Sequence, residues 1–317
     1  MDITFSSLFL VVLGVGALVK LYFWLTLGVC RSDKRLDGKT VVVTGANTGI
    51  GKETAEDIAR RGARVILACR NMEKARKAAL DIIAATGNGE VIPMEVDLSR
   101  LKSVREFVKN FLTVEDRLDI LINNAGMADI IHGRIETEDG LEYHMAANYF
   151  GHFLLTNLLI DKLASCAPSR VVNVASVAHN WGKIDLEDLN SKRRYDKKRI
   201  YATSKLANVL FATEAAQRFK EKGVTVYALS PGGVSTDFLR NTPLIIQLAC
   251  KFGRLVGIKS ATEGAQTSIY CAVEDGLTSG GYYSDCQLGG WMMNSQTEDV
   301  ELRRKFWEAS AKVVGLD

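Results

Sequence analysis

The chain is poor in the residues that staple, kink or chelate. Four prolines in 317 residues leave no Pro/Ser-rich linker, so nothing in the composition splits the catalytic-size region into separate domains. Four histidines and six cysteines (Cys30, Cys69, Cys166, Cys250, Cys271 and Cys286) form no CxxC pair and no ligand-like cluster, which argues against a metal site. Cysteines scattered this widely read as reduced core residues on a cytosolic face. The lack of any N-x-S/T sequence agrees. Net charge is only +3, too near neutral for a nucleic-acid-binding protein. What the chain does have is apolar mass, with 47% hydrophobic against 24% charged residues, enough for a substantial core.

Much of that mass opens the chain. From Ile3 to Val29 the single charge is Lys20. As a helix this run would reach about 40 Å, more than the roughly 30 Å of a hydrocarbon core. Tyr22 and Trp24 suit an interface, and Lys20 can snorkel to it. Arg31, Lys34 and Arg35 follow, so the positive-inside bias places the rest of the chain in the cytosol. A basic n-region and a small-x-small cleavage site are both missing, which disfavours a cleaved signal peptide. The expected organisation is a membrane anchor at 1–30, a basic juxtamembrane segment at 31–37 and one domain at 38–317.

Beyond residue 37, apolar β-branched runs alternate with helical stretches: KTVVVTG, ARVILACR, EVIPMEVD, RLDILINNAG, SRVVNVASVAH and GVTVYALSPGG, with GGYYSD as a short seventh. Continuous runs imply strands covered on both faces. The expected fold class is therefore α/β, a doubly wound Rossmann-like parallel sheet of about seven strands with an N-terminal transmembrane helix. The stretch 237–262 breaks the rhythm after a strand end, where ligands bind in such sheets.

TGANTGIG follows the first strand and opens the first helix. Gly45 permits the tight turn, Gly49 a close approach of pyrophosphate, and Gly51 close helix–sheet packing. The helix start then offers free N–H groups to the anion. The second strand ends in Cys69–Arg70, where an NAD site places a carboxylate for the ribose 2′-hydroxyl. Arg70 suits a 2′-phosphate instead, with Lys52 as a second charge, so NADP(H) is expected over NAD(H). Asp97 ends the third strand and meets the adenine edge. Asn123, Asn124 and Gly126 end the fourth, the glycine leaving room for a nucleotide and the asparagines alternatively serving buried backbone groups. Tyr201 and Lys205 stand one helical turn apart.

In this order and spacing, TGxxxGxG at 44–51, NNAG at 123–126, Asn148, Ser176, YxxxK at 201–205 and PG at 231–232 resemble the short-chain dehydrogenase/reductase family over about residues 38 to 290. The resemblance implies a hydride-transferring oxidoreductase and a tetrad of Asn148, Ser176, Tyr201 and Lys205. Tyr201 is then the acid for carbonyl reduction, or the base for alcohol oxidation, and Lys205 lowers its pKa from about 10. Ser176 polarises the carbonyl oxygen, and Asn148 holds a water linking Lys205 to solvent. The implied cofactor cradle comprises Gly45, Asn47, Thr48, Gly49, Ile50 and Gly51, then Arg70, Asp97 and Leu98, then Asn124, Ala125 and Gly126. Tyr201 and Lys205 complete it with Pro231, Gly232, Val234 and Thr236. Similar proteins carry histidine where Tyr149 stands.

TGANTGIGKETA, ILACRNMEKA, GHFLLTNLL, RVVNVASVAH and YATSKLANVLF resemble the membrane-anchored, NADPH-preferring retinol dehydrogenase branch. That implies a lipophilic aldehyde or alcohol as substrate, retinal and retinol foremost. Reduction is the expected net direction with NADPH abundant in cytosol, and endoplasmic reticulum the expected site ahead of a mitochondrial membrane. Phe238, Leu239, Leu244, Ile245, Ile246 and Leu248 are candidates to line an apolar pocket. A sterol or steroid ketone, or a lipid-derived aldehyde, is the alternative substrate, and a non-catalytic membrane-anchored Rossmann scaffold the alternative class. His144, His152 and His179 read as packing or capping residues, and Lys192–Arg199 as a solvated basic loop. The last helix, VELRRKFWEASAKVVGL, has either its own protomer or a second copy in a homo-oligomer to pack on.

Overall fold

The computed structural model describes residues 25–129, 131–197, 199–234, 258–289 and 293–316, together with Gly14 and Leu21. Most of the expected anchor, Cys250, Thr236 and the pocket candidates between Phe238 and Leu248 lie outside these residues. No helix among the described residues is long and apolar enough to cross a membrane.

The strands are β1 (Thr40–Thr44), β2 (Arg64–Cys69), β3 (Val91–Glu95), β4 (Ile120–Asn123), β5 (Ser169–Val174), β6 (Val224–Ser230), β7 (Tyr282–Ser284) and β8 (Gln287–Leu288). They form one sheet of eight in the order β3-β2-β1-β4-β5-β6-β7-β8. Every pairing is parallel except the last, where β8 turns back antiparallel on β7. This eighth strand exceeds the expected seven. It is a two-residue return with both side chains exposed, so it carries no apolar run to mark it.

The buried runs divide between two faces by the period-2 alternation of a strand. Val42 of β1 joins one core with Val171, Phe107, Phe153 and Phe211. Val41 and Val43 join the other with Ile58, Ile82 and Ile269. The first core is covered by α3 (Leu101–Val114), α4 (Gly151–Ser165) and α5 (Ile200–Arg218), the second by α1 (Gly49–Arg60), α2 (Met72–Thr86) and α6 (Ala261–Val273). Strand order reverses between β1 and β4, and at such a reversal ligands of open α/β sheets bind outside the carboxyl ends of the strands.

The terminal helix α7 (Val300–Val314) packs on its own protomer. Tyr149 stacks on Phe306 with ring centroids 5.0 Å apart. Its hydroxyl lies 2.8 Å from Ser310 Oγ. Tyr149→Phe should cost about 1 kcal/mol in urea denaturation, one neutral buried hydrogen bond, and leave activity intact.

Candidate active site

The first crossover is drawn tight by Thr44. Its Oγ1 accepts the backbone N–H groups of Asn124 and Ala125, each at 2.9 Å, while Asn124 Nδ2 donates to Thr44 O at 2.8 Å. The NNAG segment is thereby tied to the glycine turn, Asn124 serving a buried carbonyl. Gly45 and Gly49 have φ of +65° and +56°, the left-handed region that favours glycine. A Cβ on Gly45 would sit 2.9 Å from Ala125 Cα, and one on Gly51 would sit 2.5 Å from Gly45 O. Helix α1 starts at Gly49 without a side-chain cap at Thr48 and without an acidic residue in its first turn. Its positive end thus suits an anion, and the loop fits the pyrophosphate of a dinucleotide. Gly45→Ala should cost about 1–2 kcal/mol of stability from the left-handed backbone alone, and should weaken dinucleotide binding roughly tenfold by titration calorimetry.

At the carboxyl ends of β2 and β3, Arg70 Nη1 donates to the Tyr143 hydroxyl at 2.8 Å and lies 4.0 Å from Asp97 Oδ2. Asp97 in turn accepts from Ser99 N and Oγ. Arg70 is therefore held between a phenol and a carboxylate, the latter not counted from β2 alone. Lys52 is engaged elsewhere, 2.7 Å from Asp81 across α1 and α2. Leu98 is buried under Gly151, whose Cβ would meet Leu98 O at 2.2 Å.

Ser176 follows β5 and caps a 3₁₀ turn, Val177–Trp181, by accepting Ala178 N at 3.2 Å. Tyr201 and Lys205 lie in the first turns of α5, which runs beneath that turn. The Ser176 and Tyr201 hydroxyls are hydrogen-bonded. Lys205 Nζ lies 5.9 Å from the Tyr201 ring centroid and donates to Val174 O at 2.9 Å. Asn148 sits in a π-helical turn, Ala146–Phe150, between a single α turn (Tyr143–Met145) and α4. Its Oδ1 accepts Met127 N at 2.8 Å, and its Nδ2 reaches Met127 O at 3.0 Å and Ser204 Oγ at 2.9 Å. The side chain thus braces the segment after β4 against α5, which the sequence reading, assigning it a water, did not foresee.

Burial sets the electrostatics. Tyr201 is pushed up to about 12 by desolvation, with the Ser176 hydrogen bond opposing. Lys205 is brought down to about 8 by desolvation. In both groups desolvation is the largest influence, and it disfavours the charged form.

His152 went unrecognised as part of this site. Its Nε2 lies 2.9 Å from Thr44 Oγ1, and its Nδ1 lies 3.1 Å from Asn148 O. It therefore links the glycine turn to the π turn. Burial first, then the charge of Lys205, lowers its pKa to about 4, so the ring is neutral at pH 7. His144 and His179 are held by protein groups, Glu142 Oε1 with Asp129 N and the Ser176 carbonyl respectively. After β6, Pro231 and Gly232 turn the chain, with φ of +82° at Gly232. Val234 then pairs with Lys259 in an isolated bridge. The Lys192–Arg199 loop is turned by Asp188, which accepts from the backbone of Lys192, Arg193 and Arg194. The described cysteines are all free, and no metal-ligand group occurs among the described residues.

A glycine turn at the switch point and a serine–tyrosine–lysine cluster at the same sheet edge define a nicotinamide-dependent oxidoreductase. The chain belongs to the short-chain dehydrogenase family, whose pattern matches residues 39–244. It is similar to mouse retinol dehydrogenase 11, with 46% identity over 294 residues, 92% of this chain and 91% of that protein. Human retinol dehydrogenase 12 is 47% identical over 291 residues, covering 91% and 90%. The crystal structure of an uncharacterised protein from Mycobacterium paratuberculosis superposes with a TM-score of 0.73 at 33% identity, covering 91% of this chain and 98% of that one.

Proposed function

We propose that this protein is a membrane-anchored, NADPH-dependent reductase of retinal or a similarly lipophilic aldehyde. The observation that carries the reading is the hydrogen-bonded Ser176–Tyr201 pair beside Lys205 at the carboxyl edge, in a chain alike over nine-tenths of its length to retinol dehydrogenases.

When bound, the nicotinamide ring supplies the hydride to the carbonyl carbon. Ser176 donates a hydrogen bond to the carbonyl oxygen as charge gathers there. Tyr201, raised to about 12, keeps its proton at neutral pH and delivers it to the new alkoxide. Lys205 stabilises the resulting tyrosinate. Asn148 keeps α5 in register through Ser204. Arg70, now on the Tyr143 hydroxyl, would hold a 2′-phosphate with its guanidinium, which favours NADP(H). The apolar run Ile3–Val29 tethers the domain to the cytosolic side of the endoplasmic reticulum, where a substrate dissolved in lipid is concentrated.

The test is the purified full-length protein in detergent, with NADPH or NADH consumption followed across retinal, a ketosteroid and medium-chain aldehydes. Faster turnover of retinal with NADPH supports the reading. A preference for the ketosteroid, or for NADH, overturns it in substrate or in cofactor, and no turnover at all points to the scaffold.

A further inference from the structure

β1 starts at the amino edge of the sheet, yet the chain reaches it from the opposite, catalytic edge. Gly28 N donates to Asp285 Oδ1 at 3.3 Å, in the turn that follows the carboxyl end of β7. Cys30 N donates to Gln266 Oε1 at 3.1 Å on α6. Lys34 pairs with Asp275 at 2.5 Å beyond the far end of that helix, and Leu36 N donates to Arg61 O past the end of α1. Residues 27–36 therefore form a strap descending the outside of α6 and α1, its residues alternately exposed and covered. At the top, Asp285 also holds Lys259 Nζ at 2.5 Å, and Lys259 N donates to Gly233 O at 2.9 Å. The apolar N-terminal run thus ends beside Asp285, Lys259 and Gly233, at the carboxyl ends of β6 and β7.

Both edges carry ion pairs and exposed apolar side chains, Val114 at the amino edge among them; what sets the carboxyl edge apart is that the strap leaves from it and that a tryptophan stands exposed there beside cations. At the amino edge, charges are matched: Lys34 and Arg170 with Asp275, Arg117 with Asp119, Lys222 with Asp161. Around the carboxyl edge, Val29 is 49% exposed, Ile131 49% and Trp181 60%. Lys183, Arg199 and Asp196 line one cleft with Trp181, two cations to one carboxylate, an arrangement that suits an aromatic at the headgroup level with cations on phosphate.

We propose that the carboxyl edge of the sheet lies on the bilayer, with Val29, Ile131 and Trp181 at the interface, so that a lipophilic substrate enters the active site from the membrane. The occupant of this face is a lipid surface, because the chain that leaves it is the apolar Ile3–Val29 run. This rests on the anchored reading given above.

The test uses the full chain in nanodiscs of ordinary or brominated phosphatidylcholine with a tenth anionic lipid. Trp181 emission is obtained as wild type minus Trp181→Phe. Brominated lipid should quench that share by at least half. A second reporter, Lys222→Trp at the exposed amino edge, should lose less than a tenth of its added emission. Trp181 unquenched in protein that floats with vesicles overturns the orientation alone, as does equal quenching of both reporters. Protein that does not float overturns the anchored reading and the orientation with it.

Discussion

Tyr201→Phe should lower the rate of carbonyl reduction by about 10²–10⁴, the span typical of a lost general acid, while the fold persists. The phenol is half-buried and hydrogen-bonded to Ser176, so phenylalanine keeps the ring and removes only the hydroxyl. Ser176 Oγ keeps Ala178 N as a partner, so the stability loss should stay near 1 kcal/mol. Single-turnover rates at saturating coenzyme isolate the proton-transfer step from binding, and coenzyme affinity should change less than threefold. A variant that retains more than a tenth of the wild-type rate would remove Tyr201 from the chemistry.

Acidification should destabilise the fold by about 3 kcal/mol between pH 6.5 and 4 through His152 alone. Its folded pKa of about 4 lies below the unfolded value near 6.5. Above pH 6.5 the ring is neutral in both states and the full stability is present. As pH falls through that window, the unfolded chain binds a proton that the native core refuses, so unfolding gains. His179, also lowered by burial, acts with the same sign. Urea denaturation at pH 7 and 4.5 measures the difference, and His152→Gln should flatten the profile while lowering stability at pH 7. An unchanged slope in that variant would show that the proton is taken up elsewhere.

The sheet was readable because its strands are continuous apolar runs: VVVT and RVILAC are buried along nearly their whole length. The glycine turn was readable because backbone sterics admit few alternatives to Gly45 and Gly49. Tyr201 and Lys205 declared themselves by helical spacing, and Ser176 by its place after a strand. What escaped depends on distance in three dimensions. The sequence carries no sign that Asn148 spends its amide on Met127 and Ser204, or that His152 spans Thr44 and the π turn. Nor could it rank desolvation against the Lys205 charge, since that balance depends on depth of burial. The helix VELRRKFWEASAKVVGL left its packing open, and Phe306 stacks on Tyr149 of the same protomer.

The strap has a practical corollary for anyone trimming the hydrophobic amino terminus to obtain a crystallisable protein. A cut at Gly38, where the first strand is about to begin, discards Leu36, which is 5% exposed, and takes from Arg61 the carbonyls of Ser32 and Lys34. It also bares the stretch of α6 that Cys30 shelters. Shortening to Leu27 keeps all of these and removes only the greasy leader, so the longer product should be the better behaved of the two.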